Sequence, residues 1–166
     1  MQSGQAVHPY RHAILGVLAL VTILVIAGTG TARANPSAPA TVQVKRVTSP
    51  GIGKVLVDSH GMTLYVFHGD NPLLYQLHQD PAPTCFEFCA EFWPPLLTSG
   101  TPRGTGGLEA QRLGTISRGD GTKQVTYDGH PLYRCSEDLE PGEANGEDVE
   151  MFQDGWYAID PDGEDA

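Results

Sequence analysis

The chain has 166 residues, 20 acids against 10 Lys and Arg, and a formal net charge of −10. Such a surface repels phosphate backbones and anionic headgroups, which excludes nucleic acid and acidic membrane surfaces as natural partners. Only three cysteines are present, so the chain is no disulfide-dense mini-protein.

Residues 13–28, "AILGVLALVTILVIAG", form an uncharged apolar run of 16 residues, preceded by Arg11 and followed by "TARAN". A basic start, an apolar run and an A-x-A site at Ala32 and Ala34 read as a secretory signal over 1–34. The run falls short of the ~20 residues that cross a bilayer comfortably, although an uncleaved anchor is the alternative. Cleavage after Ala34 removes Arg11 and Arg33 and no acid, taking the net charge from −10 to −12. The expected location is outside the cytoplasm, secreted or at the cell surface.

Residues 35–50 begin as a Pro/Ala/Ser-rich linker and pass into a first strand, "TVQVKRV". "KVLVD" and "TLYVF" flank "SHGM" as a hairpin, and "GTISR" and "TKQVTY" flank "GDG" as a second. "QVTY" and "HPLYR" flank Asp128-Gly129, a pair that tolerates positive φ, as a third. "GWYAID" is a last strand, and only "CFEFCAEFW", residues 85–93, looks helical before Pro94-Pro95 stops it. The expected fold is an all-β, antiparallel single domain over 51–166 with one short helix at about 85–93.

"LYVFHGD" at 64–70 returns as "LYRCSED" at 132–138, and "VLVD" at 55–58 returns as "VTYD" at 125–128. Trp93 is echoed by Trp156. A recurring period predicts two tandem pseudo-symmetric β-repeats, about 51–100 and 113–163, sharing one core. Alternation places Tyr65 and Phe67 on one strand face and Leu64 and Val66 on the other, both apolar, as in a strand covered on both sides. Tyr65, Asp70, Tyr133 and Asp138 are therefore either scaffold or a converging ligand site. Trp156 joins them as a candidate recognition surface, with Trp93 and Tyr157 beside it as further aromatic candidates.

These residues resemble the bacterial "secreted repeat of unknown function" family, predicted lipoproteins with a Tyr-x-aromatic-x-x-Asp motif. The likeness is carried by Tyr65, Phe67 and Asp70 in "GMTLYVFHGD", then "CFEFCAEFWPPL", "ISRGDGTKQVTYDGHPLY", "DLEPGEANG" and "WYAIDPDG", from about Gly53 to Gly163. The resemblance implies an exported bacterial protein whose biochemical role is not established. Three departures stand out: no lipid-bearing cysteine, a long loop "NPLLYQLHQDPAPT", and Cys135 where the motif wants an aromatic.

An exported chain with three cysteines is expected to hold one disulfide. Cys85 and Cys89 are close enough on a helical turn to pair, leaving Cys135 as a buried thiol; the rival bridge joins Cys135 to one of them and staples the halves. The acids Glu87 and Glu91 oppose an activated thiolate. His60, His68 and His130, with Met62, are the candidates for a soft-metal site, and "DPDGED" resembles part of a calcium loop without its late glutamate. The carboxylates of 137–150 offer a remote glycosidase pair but read better as a solvated loop. No nucleophile, phosphate-loop or H-E-x-x-H motif is present, so no catalytic residue and no cofactor is expected. The reading is a non-enzymatic binding or structural module, with a cell-envelope component or protein as partner and an extracytoplasmic calcium or copper binder as the alternative.

Overall fold

A computed structural model describes residues 38–47, 49–70 and 82–166, all within the unit Arg33–Ala166. The expected export signal at 1–34, the start of the linker and most of the loop after Asp70 lie outside the described residues. Among the described residues, no helix is long and apolar enough to cross a membrane.

The fold is all-β, as expected. In chain order the strands are β1 (Thr41–Arg46), β2 (Lys54–Asp58), β3 (Tyr65–Phe67), β4 (Arg103–Thr105), β5 (Leu113–Ser117), β6 (Lys123–Tyr127), β7 (His130–Pro131), β8 (Val149–Met151) and β9 (Asp154–Ala158). They form three small sheets, ordered β2-β1-β4, β3-β9-β8 and β5-β6-β7. Among them only β1 and β4 pair in parallel. The β6–β7 turn has Asp128 at φ 48° and Gly129 at φ 86°, the doubly left-handed turn whose twist matches two antiparallel strands.

The expected helix at 85–93 shrinks to one turn, α1 (Cys89–Phe92). Glu87 sits at φ 48°, outside helical geometry, and the Cys85–Cys89 disulfide closes the segment with its Cα atoms 5.2 Å apart. The sequence pattern was helical in composition, but tertiary closure overrode it. Cys135 is the buried free thiol.

Side chains alternate along β2 and β3 into two apolar clusters. Val55, Val57, Tyr65 and Phe67 enter one, around Trp93 and Trp156. Leu56, Leu64 and Val66 enter the other, with Leu96, Val125, Leu132 and Ile159.

The sheets are joined by two closed rings of three backbone hydrogen bonds. In the first, Leu64 N donates to Leu56 O, Leu56 N to Ile159 O and Ile159 N to Leu64 O, at 2.9, 2.9 and 3.2 Å. In the second, Leu132 N donates to Val125 O, Val125 N to Leu96 O and Leu96 N to Leu132 O, at 2.9, 2.8 and 2.8 Å. All six side chains enter the second cluster. The expected β2–β3 hairpin is not a strand pair, since β2 and β3 lie in different sheets and their segments meet at the isolated Val57–Thr63 bridge; the first ring ties these segments to Ile159, just past β9, and the second ties the β6–β7 hairpin to Leu96. The rings align Leu56 with Val125, one residue out of step with the "VLVD"/"VTYD" echo. On that alignment β2 and β6 share one burial pattern, an exposed lysine followed by four buried residues.

Neither ring closes without a residue from the other part of the chain. Residues 35–106 and 107–166, separated at the exposed Gly106-Gly107 turn, are expected to show no cooperative melting alone and to regain it when mixed. Circular dichroism melts of each fragment and of the mixture check this.

Candidate functional site: the crossed tyrosine–aspartate clasp

Tyr65 and Tyr133 face each other as an isolated antiparallel bridge, each amide donating to the other's carbonyl at 2.9 Å. Their hydroxyls then cross. Tyr65 Oη donates to Asp138 Oδ2 at 2.7 Å, and Tyr133 Oη donates to Asp70 Oδ2 at 2.8 Å. All four residues are buried. The repeated motif thus brings its Tyr and Asp together, but each tyrosine meets the other motif's aspartate.

The second oxygen of each carboxylate closes a loop. Asp70 Oδ1 accepts from Thr84 N at 2.7 Å and from Thr84 Oγ1 at 2.9 Å. Asp138 Oδ1 accepts from Asn145 N at 2.7 Å. Gly146 N donates to Tyr65 Oη at 3.3 Å. A methyl group at Gly146 would lie 2.8 Å from Trp93 and 2.9 Å from Tyr65, so this close approach needs glycine.

The aromatic rings repeat the crossing. Tyr65 meets Trp93 edge-on at 5.5 Å, Tyr133 meets Trp156 edge-on at 5.2 Å, and the two tryptophans stack at 4.0 Å. Phe67 stacks on the far side of Trp156 at 4.3 Å. Pairs of this kind contribute about 0.5–1.5 kcal/mol each beyond the area they bury. Trp156, a candidate recognition residue, is fully buried and presents no face to solvent. Its indole N donates to Met151 O at 3.2 Å, whereas Trp93 Nε1 finds no hydrogen-bond partner among the described residues.

Burial dominates the electrostatics. It pushes Asp70 up to about 6 despite the bonds from Thr84 and Tyr133 and the field of Arg118. Burial also raises Asp138, and it raises both tyrosines, reinforced by the neighbouring carboxylates. Arg118 is the buried countercharge, a residue the sequence pattern did not single out. Its guanidinium donates to Gln124 Oε1 and to Cys85 O, both at 2.6 Å, and lies 4.2 Å over the Phe86 ring. An ion pair joins two distant segments: Arg134 Nε donates to Asp58 Oδ2 at 2.7 Å. Burial alone would raise Asp58, but Arg134 and the amides of Met62 and His60 hold it below its ordinary value.

The three histidines do not gather at one point, although His68 and His130 feel each other and both feel Asp165. His60 is exposed, with Nδ1 3.5 Å from Asp58. His68 Nε2 lies 3.1 Å from Asp165, with its ring against Tyr157 at 4.4 Å. His130 is half-buried, and burial lowers its pKa. Among the described residues no group of three or more His, Cys, Asp or Glu is placed to hold a metal ion. The acid-rich stretch 137–150 is also more ordered than a solvated loop. Asp138 is buried in the clasp, Glu143 accepts from Leu139 and Glu140 amides, and Glu147 accepts from Ala158 N.

Asp70 gives the fold a pH dependence of definite sign. Its pKa is about 6 folded against 3.8 for the free group, so the folded chain holds the proton more tightly. Stability from this group is full below about 4 and falls as pH rises to about 6, by about 3 kcal/mol. Asp138 and Glu147, also raised by burial, act in the same direction, while His130, lowered by burial, opposes them. In urea unfolding from pH 4 to 7, stability is expected to fall more steeply in the parent than in Asp70→Asn.

The family described as "secreted repeat of unknown function" matches residues 114–160. That span holds Tyr133, Asp138 and Trp156, while Tyr65 and Asp70 lie outside it. No curated protein and no solved structure matches the chain. Residues 114–160 are therefore similar to a secreted repeat of unknown function.

Proposed function

We propose that the chain is exported through residues 1–34 and acts at the cell surface as a non-enzymatic binding or structural module. It is built from two copies of one β unit, about 51–100 and 113–163. Tyr65, Asp70, Tyr133 and Asp138 are its internal clasp. The reciprocal Tyr–Asp bonds carry this reading, because all four polar groups are buried and committed to each other. A ligand site at the same place would have to break buried, charge-assisted bonds that hold the fold.

The rival chemistries find less support. Of the candidate metal ligands, His60 sits beside Asp58 while His68 and His130 share the field of Asp165, and among the described residues no three His, Cys, Asp or Glu are placed to hold an ion. The carboxylates proposed for hydrolysis spend their oxygens on backbone amides, as loop caps do.

Tyr65→Phe and Tyr133→Phe test the reading. Each leaves a buried carboxylate oxygen without its donor and is expected to destabilise the fold by about 1–3 kcal/mol. The folded fraction should capture cell-envelope fragments as the parent does. A variant that melts like the parent but loses capture would move the tyrosines from the clasp into a ligand site.

A further inference from the structure

On the face built by α1 and the β8–β9 hairpin, three phenyl rings gather at the surface. Phe88 is 63% exposed, and its ring centre lies 5.1 Å from Phe92 and 6.2 Å from Phe152. Phe92 and Phe152 pack inward against the tryptophan cluster. Phe88 therefore rests on an anchored aromatic base with its outer face open to water. An open groove of about 340 Å³ adjoins it, between the Cys85–Cys89 disulfide and Phe152 and Asp154.

The backbone holds these rings at a cost. Glu87, just before Phe88, sits at φ 48°, and the hairpin turn has Phe152 at φ 62° and Gln153 at φ 76°. Such a turn is least strained with Asn-Gly, and bulky residues there cost about 1 kcal/mol or more each. Folding gains little from a phenyl ring left in water, so Phe88, open on top of two anchored rings, points to a surface that something else covers.

Charge selects the occupant. The segments 87–92 and 148–154 carry Glu87, Glu91, Asp148, Glu150 and Asp154, with no Lys, Arg or His. A second copy would bring like charge to the contact, and anionic lipid would be repelled. A basic segment with apolar side chains meets both features, its cations paired with the acids or stacked on the rings. We propose that Phe88, Phe92 and Phe152, flanked by these acids, form a docking face for a basic, apolar peptide segment of a partner protein. This rests on the reading of the chain as a binding module.

The test titrates the exported chain with a helical Lys/Leu model peptide, its Glu/Leu counterpart, an N-acetylglucosamine oligomer and phosphatidylglycerol vesicles. The Lys/Leu peptide is expected to bind at roughly micromolar Kd. Phe88→Ser, at an exposed position and melting as the parent does, should weaken it by about tenfold or more. Glu87→Gln with Glu91→Gln should weaken it and reduce its salt dependence. Equal binding to Phe88→Ser would mean charge attraction alone and overturn the proposal. So would equal binding of the Glu/Leu peptide, or Phe88-dependent binding of the saccharide or the vesicles in place of the Lys/Leu peptide. Tyr65→Phe separates the two readings. If it binds the Lys/Leu peptide as the parent does, a failure at Phe88 sinks only the docking face. If it loses the peptide at an unchanged melting temperature, the clasp reading fails with it.

Discussion

Tyr65 and Tyr133 constrain each other twice, through paired backbone amides and through hydroxyls that cross to opposite aspartates. The two side-chain bonds span 73 and 63 residues of chain. Neither tyrosine can settle until the other's segment has arrived, so the central contacts form only when both halves are present. The same logic governs the three-residue rings, which Ile159 and Leu96 complete from the other part of the chain. A buried carboxylate is tolerable here because donors saturate both of its oxygens. The raised pKa of Asp70 records what burial still costs.

Much of this was legible in the sequence. Period-2 patterning located β1, β2, β3, β5, β6 and β9, and along β2, β3 and β9 successive residues face the two apolar clusters in turn. Asp128-Gly129 announced its turn through the residue types that tolerate positive φ. The repeated Tyr and Asp marked the residues that meet. Their pairing across the repeat was not legible, since a motif states which residues recur and not which copy each will contact. β4 and β8 are three residues long and mostly exposed, so they carry no alternating signal. The segment 85–93 has helical composition, but a disulfide and a left-handed Glu87 broke it. Arg118 was hidden because a lone arginine in a strand-turn-strand sequence reads as surface.

The acid surplus takes on a more specific meaning in three dimensions. Part of it is structural, with Asp58, Asp70 and Asp138 each saturated by buried or half-buried donors from distant segments. Part caps local backbone, as Glu143 and Glu147 do. The remainder is solvated, which keeps the chain dispersed, and the portion beside Phe88 and Phe152 gives that aromatic face a sign. A motif committed to holding the fold together leaves recognition to surfaces outside it.

Native-state hydrogen exchange tests the interlocked core most directly. The amides of Leu56, Leu64, Tyr65, Leu96, Val125, Leu132, Tyr133 and Ile159 should all exchange with one free energy, that of global unfolding. If the early set opens several kcal/mol below the late set, or the reverse, one half folds without the other and the mutual clasp is not what holds this protein together.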